Sequence, residues 1–494
     1  MRMGLPGRAE TGAAFGLGAV MASGQAPLGF WWLALPALAA LLLLISRAPS
    51  ARAAAWLGFF GGTGYFALAL SWLVQPFLVD AQTYGWMAPF AVLLMAGGLA
   101  LFWTAAAGIG WRLAGGPRRL LALVLTLTIA ELLRGYVLTG FPWALIGHIW
   151  IGSAPAQTAS LFGPSGLTFM TLLTAALPVA FRWRGAVGSV LILSAATAFG
   201  LWRLGQPMPP DRPVTLRLAQ PDAQQRLKWD PAMADLYFRR LLDFSAAEPR
   251  PDLVIWPETA VPYLLERNPE LAGVLADAGR GATLAVGMQR EEGVQFFNGL
   301  TIVAPDGSIP ARYDKAHLVP FGEYMPFGDL AYNLFGMAAF AARQGNGYSA
   351  GIGPAIIDLG PKLGRVLPLI CYEAIFPQDL LNAPGRADWI LQITNDGWFG
   401  TLTGPYQHLA QARLRAIEQG LPLIRVANTG ISAVIDAKGR ILDSLPLGAA
   451  DFIDTALPAP LAPTPFARFG EVPVLLLLAG LGLSLLITRQ HRRP

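Results

Sequence analysis

Residues 367–373 read Leu-Pro-Leu-Ile-Cys-Tyr-Glu, a short apolar run that ends in a cysteine. Such a run predicts a buried β-strand, and the cysteine then falls in the turn that follows it. Cys371 is the single cysteine among 494 residues, so no intramolecular disulfide can form. An isolated cysteine is often just a small buried hydrophobic residue, so the surrounding sequence has to decide its role.

Short β-rich runs alternate with helical stretches on both sides of this segment, from residue 206 to residue 465. Strands that alternate with helices predict an α/β sandwich domain. The predicted strands are 214–218, 253–256, 284–287, 300–303, 366–370, 389–393, 423–427 and 433–435, and the predicted helices include 231–245 and 406–419. Pro-rich segments at 207–213 and 458–465 are expected to link this domain to the rest of the chain.

Two more predicted strand ends carry reactive side chains. One strand runs into Trp256-Pro257-Glu258, and a second segment, 312–324, reads Arg-Tyr-Asp-Lys-Ala-His-Leu-Val-Pro-Phe-Gly-Glu-Tyr and contains Lys315. Functional residues of open α/β sheets collect at the carboxyl ends of the strands, because the loops there converge on one crevice. We therefore expect the carboxylate of Glu258, the ammonium of Lys315 and the thiol of Cys371 to meet.

The rest of the sequence is too apolar for a soluble domain. The chain is 54% hydrophobic and 14% charged, whereas soluble domains carry roughly 25% charged residues. The apolar regions, 1–205 and 466–494, predict a bundle of eight transmembrane helices, since a span needs about 20 apolar residues. The predicted spans are 10–25, 28–46, 53–74, 87–111, 119–136, 159–181, 186–202 and 472–488. The first span also fits a signal peptide, but the other seven favour a helix hairpin with the second.

The arginines between the spans predict the orientation of the chain. They precede the first span, follow the last and occupy alternate loops: Arg2, Arg8, Arg47, Arg52, Arg112, Arg118, Arg119, Arg182, Arg184, Arg489, Arg492 and Arg493. By the positive-inside rule both termini are cytoplasmic, and residues 206–465 lie in the periplasm of a Gram-negative bacterium. The net charge of +5 is thereby explained by topology, which argues against nucleic-acid binding.

Two charged residues fall inside a predicted span. Glu131 and Arg134 are three residues apart, so a helix places them on one face. They fit a structural ion pair, and they also fit a contact with a lipid headgroup.

Four motifs together resemble a known family. Trp256-Pro257-Glu258, the lysine of segment 312–324, Cys371-Tyr372-Glu373 and the segment 394–400, Thr-Asn-Asp-Gly-Trp-Phe-Gly, resemble the Glu-Lys-Cys triad of the nitrilase superfamily. The Phe-Gly-Glu-Tyr extension at 321–324 and the flanking apolar spans narrow the resemblance to the apolipoprotein N-acyltransferase family. The resemblance covers essentially the whole chain and implies an αββα catalytic sandwich.

The resemblance also implies roles for individual residues. Cys371 is the nucleophile, Glu258 the general base, and Lys315 the cation that favours the thiolate and the oxyanion. Supporting residues in the family correspond to Glu323, Tyr372 and Glu373. Trp229 matches a tryptophan linked to substrate handling, although packing in the domain core explains it equally well. No cluster of Cys and His suggests a metal, and an ester-to-amide exchange needs no cofactor.

The reaction follows from the same resemblance. A phospholipid, expected to be phosphatidylethanolamine, acylates Cys371, and the α-amino group of an N-terminal diacylglyceryl-cysteine then takes the acyl chain. The enzyme is expected to act as a monomer in the bacterial inner membrane. Two alternatives stay open: a membrane-tethered amidohydrolase in which water replaces the amine, and a polytopic scaffold or transporter with an inactive domain.

The loop after Phe321 is unusually apolar. It contains Tyr324, Met325, Phe327, Leu330, Tyr332, Leu334, Phe335, Met337 and Phe340. Exposed apolar patches often mark binding surfaces, which suggests a lid that dips into the membrane interface and guides acyl chains. A locally buried hydrophobic excursion is the alternative.

Overall fold

The computed structural model describes residues 5–326 and 347–490, which fall into two compact units. The helical unit comprises Met1–Pro207, Leu402–Glu418 and Pro463–Pro494, and the sheet unit comprises Met208–Thr401 and Gln419–Ala462. Most of the expected lid, from Phe327 onwards, lies outside the described residues.

The sheet unit contains two six-stranded sheets. One has the order β12-β1-β2-β3-β4-β5 and the other β11-β10-β9-β8-β7-β6. The strands are β1 (Arg212–Gln220), β2 (Leu253–Ile255), β3 (Thr283–Glu292), β4 (Gln295–Val303), β5 (Ala311–Asp314), β6 (Ile357–Asp358), β7 (Arg365–Ile370), β8 (Trp389–Thr394), β9 (Leu423–Ala427), β10 (Ser432–Ile435), β11 (Ile441–Leu445) and β12 (Asp451–Leu457). The predicted α/β sandwich is confirmed.

Every predicted strand is present, and the four that the sequence did not predict lie at the sheet edges. The central strands β1, β2 and β3 are parallel neighbours, as are β7, β8 and β9. Strands buried on both faces read as continuous apolar runs, which is why the sequence identified them. The edge strands β5, β6, β11 and β12 are short or partly exposed, so their sequences lack that signal.

Helices cover the outer face of the first sheet. The helices Pro231–Ala246 and Leu271–Gly279 are amphipathic, and their apolar residues share one core with β2 and β3. Leu241 and Leu275 are fully buried there beside Trp256. This packing holds the end of β2, from which Glu258 follows.

Hydrogen bonds between polar side chains and backbone also join the two sheets. Gln220, at the end of β1, accepts hydrogen bonds from the backbone N–H and hydroxyl of Ser432 on β10, at 3.2 and 2.6 Å. Both residues are fully buried. The strand ends of the two sheets are therefore held at a fixed separation.

The helical unit consists of packed apolar helices. Its main helices are Arg8–Ala22, Trp31–Ser46, Ala51–Ala69, Ala88–Leu113, Arg118–Arg134, Ala159–Gly205, Gly404–Gln419, Pro465–Phe469 and Val472–Gln490. Small residues allow close backbone contact: a Cβ added to Gly18 would lie 1.9 Å from the carbonyl oxygen of Gly61. Such glycine contacts are typical of helices that associate in membranes.

Helix Gly404–Gln419 belongs to the helical unit as far as Glu418, although it falls inside the domain predicted at 206–465. The indole N–H of Trp143 donates to Gln407 at 2.6 Å, and the Gln407 amide donates to the carbonyl of Ala69 at 3.0 Å. Leu414 and Ile417 are buried in a core with residues of the apolar helices. The helix contains many polar residues, so its hydropathy did not indicate that it is buried.

The predicted number of eight spans is not confirmed. Among the described residues, two helical segments are long and apolar enough to cross a membrane, Ala81–Leu113 and Ala154–Gly205. The bent pair Ala51–Ala69 and Ser71–Leu78 makes a third candidate. Helices Trp31–Ser46 and Val472–Ile487 are apolar but shorter, and each falls below the ~20 residues that a perpendicular span needs.

One long helical element folds back on itself. Ala159–Gly205 is interrupted at Phe181 and Arg182, where Arg182 has φ 52°. The hydroxyl of Ser189 donates to the carbonyl of Thr174 at 2.8 Å. In a straight helix these residues would be about 22 Å apart, so the element is a hairpin whose turn lies between the predicted spans 159–181 and 186–202.

Glu131 and Arg134 form the structural ion pair. Both are buried, and the guanidinium donates to the carboxylate at 2.8 Å. Arg134 also donates to the carbonyl of Trp143 at 2.9 Å, and Trp103 donates to Glu131 at 2.8 Å. Because both charged side chains are hydrogen-bonded to other groups of the protein, the interpretation as a structural ion pair is confirmed.

Candidate active site

The cysteine occupies a strained turn at the end of β7. Cys371 has φ 52°, and it begins the short 3₁₀ helix Cys371–Ile375. Positive φ is costly for a residue with a side chain and is typical of functional positions. Burial raises the pKa of the Cys371 thiol, the Glu258 carboxylate raises it further, and the Lys315 ammonium opposes this. The thiol therefore needs a base to become a nucleophile.

Glu258 supplies a buried carboxylate at the end of β2. One oxygen accepts a hydrogen bond from the amide of Asn298 at 2.7 Å and lies 3.5 Å from the ammonium of Lys315. The other oxygen accepts from the backbone N–H of Asn395 at 2.8 Å. Asn395 follows β8, so the carboxylate is oriented by groups from both sheets.

Lys315 follows β5 and is 1% exposed. Its ammonium donates to Glu323 at 2.8 Å, and the carboxylate of Glu258 lies 3.5 Å away. Burial lowers the pKa of Lys315, but the carboxylates of Glu323 and Glu258 outweigh burial and raise the pKa above its usual value. The side chain is a permanent cation beside the cysteine.

Asn298 is a site residue that the sequence analysis missed. Its side-chain amide donates to Glu258 at 2.7 Å and to Glu323 at 3.0 Å, so it joins the two carboxylates that flank Lys315. The sequence feature that could have identified it is an asparagine inside the apolar run of β4, because a buried amide without hydrogen-bond partners would be costly.

Glu373 holds the two segments that carry the cysteine and the lysine. One of its oxygens accepts from the hydroxyl of Tyr313 and from the backbone N–H of Ala316, at 2.7 and 2.8 Å. The other oxygen accepts from the backbone N–H of Ile370 at 2.7 Å. Glu373 therefore ties the segment that carries Cys371 to the segment that carries Lys315.

Tyr372 is buried in an aromatic cluster next to Cys371 in the chain. Its ring lies edge-on to Phe376 at 4.9 Å and to His317 at 5.7 Å. The imidazole of His317 stacks on Phe376 and contacts Asp379 at 3.1 Å. This packing holds the backbone that follows Cys371.

Trp229 lies in the loop between β1 and helix Pro231–Ala246. Its half-buried ring lines a recess together with Lys228, Tyr237 and Thr259. Trp229 thus lines the same recess as Thr259, the residue that follows Glu258, and both substrate handling and packing fit that place.

The arrangement is suited to acyl transfer through a thioester. A protonatable carboxylate, a fixed cation and a thiol converge in a buried site, which are the parts that nucleophilic catalysis by cysteine requires. Within residues 5–326 and 347–490, no group of three or more His, Cys, Asp or Glu side chains is arranged to hold a metal.

Comparison with known proteins covers both units. Residues 17–177 match the model of the apolipoprotein N-acyltransferase N-terminal domain, and residues 214–462 match the carbon-nitrogen hydrolase model. The apolipoprotein N-acyltransferase of Rhodopseudomonas palustris is 40% identical over 473 residues, which are 90% of this chain and 87% of that protein. The chain belongs to the apolipoprotein N-acyltransferase family. Its relatives in Bradyrhizobium diazoefficiens and Caulobacter vibrioides are each 40% identical, covering 86% of this chain and 84% of theirs.

Membership of the apolipoprotein N-acyltransferase family explains why one chain contains both a helical unit and a sheet unit. The N-terminal match covers apolar helices, and the carbon-nitrogen hydrolase match contains Glu258, Lys315 and Cys371. The resemblance seen in the four motifs is thus confirmed at the level of the family.

Proposed function

We propose that this chain transfers a fatty acyl group from a membrane phospholipid, through a thioester on Cys371, to the α-amino group of an N-terminal diacylglyceryl-cysteine of an apolipoprotein. This is the last step of bacterial lipoprotein maturation. The observation that carries the proposal is the burial of one strained cysteine in the field of Glu258 and Lys315. The proposed donor is phosphatidylethanolamine, and the proposed active form is a monomer.

The first half-reaction acylates the enzyme. Glu258 takes the proton of the Cys371 thiol, and the thiolate attacks the ester carbonyl of the phospholipid. Lys315 and a backbone N–H near Tyr372 stabilise the oxyanion of the tetrahedral intermediate. The carbon–oxygen bond then breaks, Glu258 returns the proton to the departing oxygen, and a lysophospholipid leaves.

The second half-reaction forms the amide. The amine attacks the thioester carbonyl, and Glu258 takes a proton from the amine. The carbon–sulfur bond then breaks, and Glu258 returns that proton to the sulfur, which restores the Cys371 thiol. In this scheme Glu323 and Glu373 hold the lysine and the cysteine, Tyr372 supports the oxyanion site, and Trp229 contacts substrate.

The membrane setting is part of the proposal. Both substrates are lipids, so an enzyme held in the bacterial inner membrane meets them without extracting either from the bilayer. We assign eight spans, with both termini in the cytoplasm and residues 206–465 in the periplasm. The alternation of arginine-containing and arginine-free loops supports this orientation.

Intact-protein mass spectrometry tests both half-reactions. The purified chain is incubated with phosphatidylethanolamine vesicles and then with a synthetic diacylated lipopeptide. We expect the mass to increase by one acyl group, the adduct to be removed by hydroxylamine, and the lipopeptide to discharge it as an amide.

The matched control is Cys371→Ala, which should form no adduct. An unmodified wild-type protein after incubation with phospholipid would contradict the proposal. Release of free fatty acid at the same rate with and without lipopeptide would instead favour the amidohydrolase, in which water is the acceptor.

A further inference from the structure

A second buried lysine lies behind the proposed general base. Lys228, in the loop before helix Pro231–Ala246, is 5% exposed. Its ammonium donates to the backbone carbonyl of Glu258 at 3.1 Å and to the hydroxyl of Thr259 at 2.7 Å. Lysine is rarely buried without a partner of opposite charge, because removing an ammonium from water is costly. Here both of these acceptors are neutral atoms of the turn that carries Glu258.

The turn that Lys228 contacts is strained and closely packed. Thr259 has φ 46°, an unusual conformation for a β-branched residue. The same turn lies against β3, where a Cβ added to Gly287 would be 2.1 Å from the carbonyl oxygen of Pro257. The N–H of Ala260 donates to the carbonyl of Gly287 at 2.7 Å. The turn is therefore held both by β3 and by the Lys228 ammonium.

The position of this turn determines where the Glu258 carboxylate lies. The carboxylate reaches Asn298 and Asn395 at 2.7 and 2.8 Å, so it has little freedom to compensate for movement of its backbone. A displacement of about 1 Å at a catalytic group can lower a rate about 100-fold.

The charge of Lys228 also acts on the site. Burial lowers the pKa of Lys228 to about 8, while the negative charges of Glu258 and of a Cys371 thiolate oppose that decrease. The ammonium is thus retained at neutral pH and is lost in mildly alkaline solution. Loss of its proton would remove a donor from the strained turn.

We propose that Lys228 is a positioning residue for acyl transfer: its ammonium binds the Glu258 carbonyl and the Thr259 hydroxyl and so keeps the Glu258 carboxylate aligned with Cys371. The inference rests on the proposed function of Glu258 and Cys371. Lys228 touches neither substrate nor the reacting sulfur in this scheme, and it acts through Glu258.

The test measures the single-turnover rate at which phosphatidylethanolamine acylates Cys371. Intact-protein mass spectrometry monitors the reaction at several lipid concentrations and pH values. Lys228→Met should lower the rate at saturating lipid roughly 100-fold, with a half-saturating lipid concentration within about twofold of wild type. Lys362→Met is the matched control, because Lys362 is an exposed lysine paired with Asp252. It should acylate at the wild-type rate.

The pH profile separates positioning from general structural damage. The wild-type rate should fall above about pH 8 as Lys228 loses its proton, and this alkaline decline should be absent from the residual activity of Lys228→Met. If Lys228→Met does not fold, Thr259→Val decides, since it removes the acceptor hydroxyl but keeps the size of the side chain. Thr259→Val should be slowed at least about tenfold, and Thr259→Ser should not be slowed.

Wild-type rates in both Lys228→Met and Thr259→Val, or an alkaline decline that persists in Lys228→Met, would overturn the inference. Failure of the wild-type protein to form an adduct would refute the proposed function instead, so the two outcomes are distinguishable.

Discussion

At Asn298 one side-chain amide joins the two carboxylates that flank the buried lysine. Asn298→Ala removes both hydrogen bonds, so Glu258 and Glu323 lose the amide that bridges them and keep only the Lys315 ammonium between them. We expect the rate of Cys371 acylation to fall roughly 100-fold, and Asn298→Asp to be slower still because it adds a third negative charge. Single-turnover mass spectrometry measures both variants.

Asn382→Ala is the control for this prediction, since Asn382 is an exposed asparagine outside the site. Acylation by Asn298→Ala at the rate of Asn382→Ala would show that the bridge has no role in orienting Glu258.

The carboxylate of Glu373 is surrounded by hydrogen-bond donors. It accepts from the hydroxyl of Tyr313 and from the backbone N–H of Ala316 and Ile370. Glu373→Gln replaces one accepting oxygen by an NH2 group, which then faces one of these donors without forming a hydrogen bond. We expect the free energy of unfolding to fall by about 2–3 kcal/mol and acylation to be lost.

Tyr313→Phe removes only one of the donors to Glu373, so it should cost about 1 kcal/mol and leave acylation measurable. Thermal unfolding in detergent gives the order of stability. Equal unfolding temperatures for Glu373→Gln and wild type would contradict the role assigned to Glu373.

Within the sheet unit, the contact between β3 and the turn after β2 positions Glu258, the proposed base. A Cβ at Gly287 would overlap the carbonyl of Pro257, and backbone atoms cannot rotate away as a side chain does. Gly287→Ala should therefore displace Glu258, cost about 1–3 kcal/mol of stability and lower acylation strongly.

Gly273→Ala is the matched change in the same unit, because nothing lies within 4 Å of the added methyl in helix Leu271–Gly279. It should be neutral or stabilising by up to about 1 kcal/mol, since alanine favours a helix. If both glycine variants had wild-type acylation rates, close packing at Gly287 would not be what holds the base.

For the whole molecule, the proposed orientation predicts which surfaces a membrane-impermeant maleimide reaches. In a Cys371→Ala background, Leu138→Cys lies in an arginine-free loop and is 99% exposed, so it should be labelled in intact cells. Gly115→Cys lies at an exposed position between Arg112 and Arg118, where an added side chain meets open space. It should be labelled only after the cells are broken. The reverse pattern would place residues 206–465 in the cytoplasm and refute the orientation.

The sequence pointed to three candidate reactive residues, but it did not indicate which side chains surround them. Glu258, Lys315 and Cys371 each follow a strand, and strand ends can be recognised from local patterns. Asn298 and Lys228 could not be assigned to the site in this way, because each acts through contacts with residues 25 to 40 positions away in the chain. Such contacts exist only after the sheets have formed.

Some helices and strands could likewise be predicted from the sequence, and others could not. All central strands were predicted, and the edge strands β5, β6, β11 and β12 were not, because an edge strand need not be apolar on both faces. Helix Gly404–Gln419 was predicted as a helix, but only the tertiary structure assigned most of it to the helical unit.

The sequence by itself determined the class of each unit, the family and the three candidates for the reactive groups, because hydropathy, strand periodicity and short motifs are local properties of a chain. Only the tertiary structure decided how Glu258 is oriented, which groups hold it and where each helix is packed. These depend on hydrogen bonds and close contacts between residues far apart in sequence, and folding alone brings such residues together.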